Sequence, residues 1–97
     1  MTDAYSIPLS YLFQIAEQTP RALSAYIVCF QMADDELSAF LTRDYIVKDR
    51  SMNWTKFRND ILALARIGLL EWHEIDKNTL KVILAKSEFD HIGATLC

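Results

Sequence analysis

The side chains that could carry covalent or metal chemistry in this chain are few. The candidate nucleophiles and bases are Cys29, Cys97, His73 and His91. No Cys or His lies at zinc-ligand spacing to either histidine, so the close pairs of ligands that a tetrahedral site needs are missing. A Cys/His hydrolase needs a base positioned beside its thiol. Cys29 instead sits in an apolar stretch, Tyr26 to Phe30, where it reads as a small buried hydrophobe. The only glycines are Gly68 and Gly93, so there is no glycine-rich loop to cradle a phosphate. Asp34-Asp35-Glu36 is an acidic cluster, but it reads better as a helix end or cap than as a catalytic pair. The residues therefore predict neither an enzyme nor a bound cofactor or metal.

The non-covalent chemistry is richer, and it is concentrated in Ser51 to Leu70. Trp54, Phe57, Ile61 and Leu64 recur at spacings of three, four and three, the repeat of one buried helix face. Ser51 and Asn53 are both competent N-caps. Gly68 suits the C-terminal stop, where a left-handed residue is needed. The other face carries Thr55, Lys56, Arg58, Asn59, Ala63 and Arg66, with Asp60 near the positive end of the helix dipole. Such a face suits a DNA major groove, and it equally suits an ordinary solvated surface.

Length and composition bound what surrounds this helix. At 97 residues the chain predicts one domain, and 52% hydrophobic residues suffice for a core. No apolar run is long enough to span a bilayer. Met1-Thr2-Asp3-Ala4 lacks the basic start and apolar block of a signal peptide. Two cysteines make no disulfide framework, so a cytoplasmic setting is expected. The net charge of −3 argues mildly against bulk nucleic-acid affinity. Its distribution is uneven. Residues 42–66 hold six Lys/Arg against three Asp, whereas residues 1–41 hold one Arg against five acids and residues 67–97 three Lys against five acids. The positive segment is the one with the candidate groove helix.

Taken in order, Ser6-Ile7-Pro8 reads as a helix start, with Leu9, Leu12, Phe13 and Ala16 on one face of a helix spanning about 8–18. Thr19 and Pro20 open a second helix, whose inner face is Leu23, Tyr26, Ile27 and Phe30. Ala22, Ala25, Val28 and Cys29 widen that face and mark the helix as central. Residues 37–41 fit either a short strand or a helix start. Thr42 caps a short helix from Arg43 to Lys48, packed through Tyr45 and Ile46. Past Gly68, Leu70, Trp72 and Glu74 alternate with Glu71, His73 and Ile75, then Asp76-Lys77-Asn78 turns into Thr79 to Leu84, a hairpin. Phe89, Ile92 and Leu96 suggest a last short helix in the tail, 85–97. The fold class expected is mainly α with a small β-hairpin.

The order of helix, short strand, short helix, turn, longer helix and hairpin resembles the winged helix-turn-helix superfamily. Leu64-Ala65-Arg66-Ile67-Gly68-Leu69-Leu70 resembles the phrase that leads its recognition helices into the first wing strand. Thr42-Arg43-Asp44-Tyr45-Ile46 resembles the support helix before it, and the resemblance covers about residues 20–84. Two departures stand out: the net charge is acidic, and Lys48 to Asn53 lacks the glycine often found in the turn. Domains of this build occur among phage, plasmid and mobile-element proteins. The resemblance implies that the central helix enters the major groove of duplex DNA, with Asn53, Thr55, Lys56 and Asn59 on base edges. Arg43, Lys48, Arg50, Ser51 and Arg58 would then hold phosphates, and Lys77 and Lys81 would do so from the wing. It also implies a homodimeric regulator of transcription, replication or partition, with Leu9 to Ala16 and the tail as dimer surfaces. The alternative is a protein-binding module on the same scaffold, such as a phage or mobile-element inhibitor of a host nucleic-acid-binding complex. Its Asp34, Asp35, Glu36, Glu71 and Glu74 would meet a basic partner.

Overall fold

The computed structural model describes residues 7–85. These residues form an α+β domain of three α-helices, a short π-helical segment and a three-stranded antiparallel sheet. The longest helix, α3 (Trp54–Arg66), has sharply defined ends. Asn53 is its N-cap, with the side-chain oxygen accepting from the Lys56 N–H at 2.9 Å. At its other end the Leu69 N–H donates to Leu64 O at 3.1 Å and the Gly68 N–H to Ala65 O at 3.0 Å. These bonds form the Schellman closure. Gly68 supplies the left-handed residue it requires, at φ 82°. Between these ends Trp54, Phe57, Ile61 and Leu64 are buried, as their spacing predicts. Ser51 is not a cap. It takes φ 55° in the preceding turn, the conformation for which glycine is usually chosen.

The first helix, α1 (Leu9–Gln18), follows Pro8, and its face differs from expectation. Tyr11 and Ile15 are its buried residues, while Leu9 and Phe13 face solvent at 62% and 59% exposure. Two apolar faces compete on this helix, and packing decided between them. The Tyr11 ring meets Tyr26 edge-on at 6.4 Å, a favoured aromatic geometry. A 3₁₀ turn, Pro20–Ala22, leads into α2 (Leu23–Met32). Ala25, Tyr26, Val28, Cys29 and Phe30 are buried there, and the expected inner residues Leu23 and Ile27 are only half-buried. The helix is central, as its composition predicted, but rolled toward its smaller residues.

The ambiguous stretch is a strand, β1 (Ser38–Thr42). Asp34 decides this locally. Its Oδ1 accepts from the N–H groups of Glu36 and Ser38 at 2.9 and 3.0 Å. That closes a turn in which buried Leu37 adopts φ 62°. A left-handed leucine costs about 1–2 kcal/mol, and full burial of its side chain offsets a similar amount. After β1, Thr42 Oγ1 accepts from the Tyr45 N–H at 3.2 Å, the cap expected. The segment it opens, Tyr45–Asp49, is π-helical. Strands β2 (Leu70–Asp76) and β3 (Thr79–Leu84) form the expected hairpin, with β3 central in the order β1-β3-β2. In-register rows run Ser38–Ile83–Glu71 and Phe40–Lys81–His73. Leu41, Leu80, Val82, Leu84 and Leu70 point inward to the helices and are buried. The expected tail helix, 85–97, lies outside the described residues except for Ala85.

Candidate functional site

The candidate residues are positioned by the way α3 meets the hairpin turn. Lys77 and Asn78 form a tight connection in which Asp76 Oδ1 accepts from the Asn78 N–H at 2.8 Å. Trp54, the first residue of α3, donates its indole N–H to Lys77 O at 3.2 Å. The Arg43 N–H donates to Asn78 O at 2.8 Å. The hairpin turn, the end of β1 and the N-terminus of α3 are therefore fastened at one end of the domain. Trp54 is buried and stacks on Phe57 at 6.0 Å, with the rings 11° from parallel. Its indole is the anchor that sequence reasoning treated only as packing.

This end of the domain collects cations and polar groups. Arg43, Lys48, Ser51, Asn53, Thr55, Asn59 and Lys77 are exposed, and Arg50 is half-buried. Among the described residues, Arg43, Lys48 and Lys77 are in no salt bridge. The guanidinium of Arg50 donates to Gln31 Oε1 at 2.8 Å, so α2 holds it at the rim of a groove. That groove is lined by Ser24, Ile27, Arg50, Met52 and Lys56 among others. A second depression, lined by Arg43, Val47, Asn53 and Thr55, lies on the other side of the helix start. The α3 N-terminus adds the positive end of its dipole here.

Not every expected residue is available in the way the sequence implied. The Asn53 carboxamide oxygen is committed to the cap, which leaves its N–H₂ and not the bidentate pair that adenine reading requires. Lys56 Nζ bonds Asp60 Oδ2 at 2.8 Å. Asp60 is not on the solvated face: it is buried at 8% exposure. The i,i+4 spacing of this pair was visible in the sequence. Arg58 forms an ion pair with Glu74 of β2, and nothing in the sequence signals a partner sixteen residues away. Lys81 is separated from the rest. Its neighbours Leu80 and Val82 point into the core, so Lys81 lies on the outer face of the sheet. There its ammonium sits 5.6 Å from the centre of the Phe40 ring, a cation–π contact.

The opposite end of the sheet has the opposite charge. Asp34, Asp35 and Glu36 precede Ser38, and Glu71 shares the Ser38–Ile83 row. Two further ionisable groups, Cys29 and Tyr26, are buried in the core. Burial pushes the thiol of Cys29 and the hydroxyl of Tyr26 far above their ordinary values, so both stay protonated near neutral pH. Among the described residues no group of three His, Cys, Asp or Glu could hold a metal ion. No helix among them is long and apolar enough to cross a membrane. A scan against protein-family models and a search of curated proteins found no match for the chain.

Proposed function

We propose that this chain is a winged helix-turn-helix protein that binds duplex DNA through the N-terminal end of α3. The observation that carries the reading is the charge separation along the sheet. Arg43, Lys48, Arg50, Lys77 and the α3 N-terminus gather at one end, interspersed with exposed Asp44, Asp49 and Asp76 that leave only a small cationic excess, while Asp34, Asp35, Glu36 and Glu71 gather at the other. A polyanion meets the first end and is turned away from the second. The strand order β1-β3-β2, with α3 feeding β2, supports the winged-helix assignment. In this reading α2 and the π-helical segment support α3, and the Lys77-Asn78 turn is a very short wing.

Thr55 and Asn59, exposed one turn apart on α3, face the base edges. Arg43, Lys48, Arg50 and Lys77 hold phosphates on either side. Lys56 and Arg58 act with part of their charge already answered by Asp60 and Glu74. Fluorescence anisotropy with random-sequence duplex DNA tests the reading. Four phosphate contacts predict a log–log salt slope of about −3 to −4. A chain that fails to bind at low salt does not have this function. The protein-binding alternative draws on the same two ion pairs, because a groove helix with two neutralised cations suits a protein surface as well. Salt-independent failure to bind DNA would favour it.

A further inference from the structure

We propose that the cleft between α2 and the start of α3 binds a small organic anion, a single carboxylate carried on a compact apolar body. The cleft has a volume of about 630 Å³, within the range of small-molecule sites. Its floor is apolar. Ile27 and Met52 line it half-buried, with Val28 and Phe57 behind them in the core. Ile27 is left open because α2 is rolled toward its smaller residues. Met52 is fixed on the facing wall, where its N–H donates to Ile46 O at 3.0 Å. A compact apolar group laid across these two side chains would remove both from water.

The rim supplies the charge. Arg50 donates from its guanidinium to Gln31 Oε1 at 2.8 Å. That partner is neutral, and Arg50 is in no salt bridge among the described residues. One N–H is thus spent on orientation, while the charge stays unanswered and the other donors remain for an anion. Lys56 differs. Its ammonium lies 2.8 Å from Asp60 Oδ2 and 3.5 Å from Arg21 O, so its charge is already balanced. Asp49 is the acid in the cleft lining. The cleft therefore offers one oriented guanidinium without a large surplus of positive charge. A planar guanidinium matches a carboxylate bidentately, and Asp49 works against an anion of higher charge. Arg50 and Lys56 are also expected DNA contacts, so a ligand here competes with DNA for them. That consequence rests on the DNA reading, whereas the cleft does not.

Proton–nitrogen correlation NMR of the full chain, without DNA, tests the site with naphthoate as the probe. The expected result is saturable shifts of the Ile27, Arg50, Ser51 and Met52 amides, with a dissociation constant of about 0.1–1 mM. The amides of Phe40, Lys81 and His73 on the outer face of the sheet should stay still. Acetate has the charge without the body, naphthalenemethanol the body without the charge, and inorganic phosphate a higher charge. Each should bind at least about tenfold more weakly. Arg50→Met keeps an apolar stem and removes the guanidinium, and should weaken naphthoate about tenfold. Ser24→Phe fills the cleft from an exposed position on α2 and should abolish the shifts, with a thermal melt close to the parent's. No saturable shift at millimolar naphthoate overturns the proposal. So does an Arg50→Met variant that binds like the parent. If Arg50→Met disturbs the fold, Ser24→Phe decides, because unchanged binding there places the ligand outside the cleft. Equal binding of naphthalenemethanol or phosphate overturns the carboxylate assignment. Since no DNA is present, none of these outcomes depends on the anisotropy test of α3.

Discussion

The two ends of the sheet are built from similar parts and differ in what they expose. At one end Thr42, Thr79 and Asp76 close the strands, and the α3 N-terminus, Arg43 and Lys77 surround them. At the other, Ser38, Ile83 and Glu71 form the row, next to the Asp34 turn and the α3 C-terminus. Both ends are tightly hydrogen-bonded. The cationic end is fastened by the Trp54 indole and the Arg43 N–H, the acidic end by the Asp34 carboxylate and the backbone bonds after Gly68, so each combines a side chain with the backbone. The two ends therefore differ in charge, since exposed Asp44, Asp49 and Asp76 offset much but not all of the cationic end, whereas the Asp34 turn and Glu71 leave the other end acidic.

The largest way to break this contrast is to reverse the cationic end. Arg43→Glu with Lys77→Glu should lower DNA affinity about tenfold or more and flatten the salt slope by about two. Both side chains are exposed, so the thermal melt should hardly move. The matching reversal at the acidic end, Asp35→Lys with Glu36→Lys, should change affinity much less, because screening weakens charges beyond about 10 Å. Equal effects from the two variants, read by anisotropy, would dissolve the distinction between the ends.

The two ends of α3 sharpen the comparison at smaller cost. Gly68→Ala should destabilise by about 1–2 kcal/mol in urea unfolding, the strain of a left-handed alanine. An added Cβ there meets nothing within 4 Å, so conformation alone is responsible. Asn53→Ala should cost about 1 kcal/mol through loss of the cap. If the second exceeded the first, the cationic end would be the more strongly determined of the two.

The smallest effect expected is in the core between them. The Tyr26 hydroxyl is buried and has no hydrogen-bond partner among the described residues. Tyr26→Phe removes a desolvated group and keeps the ring, so stability should stay level or rise by up to about 1 kcal/mol. A clear loss would mean that the hydroxyl has a partner, for example a bound water, that holds α1 and α2 together.

Much of this was legible before any coordinates. The buried row of α3, its Asn53 cap, the Gly68 stop and the hairpin at 76–78 all follow from local rules of spacing and backbone conformation. Each depends on residues within a few positions of one another, which is why the sequence carried them. The face of α1 was not legible. Leu9/Phe13 and Tyr11/Ile15 are both apolar pairs at helical spacing, and tertiary contacts, the Tyr26 ring among them, selected the second. The strand at 38–42 needed β3 as its neighbour, from forty residues further along the chain.

The candidate site divides in the same way. Its cationic composition was written in residues 42–66, and Lys56–Asp60 was readable as an i,i+4 pair. That Arg58 is answered by Glu74, that Lys81 is turned to the outer face over Phe40, and that Lys77 joins the start of α3 were decided by packing. The sequence by itself determined where the three α-helices and the hairpin lie and where α3 stops, because those choices are local, but not that 38–42 is a strand. Tertiary structure decided which charges meet partners distant in the sequence and which stay without an ion pair among the described residues, because that depends on strand register and on which helix face the core accepts.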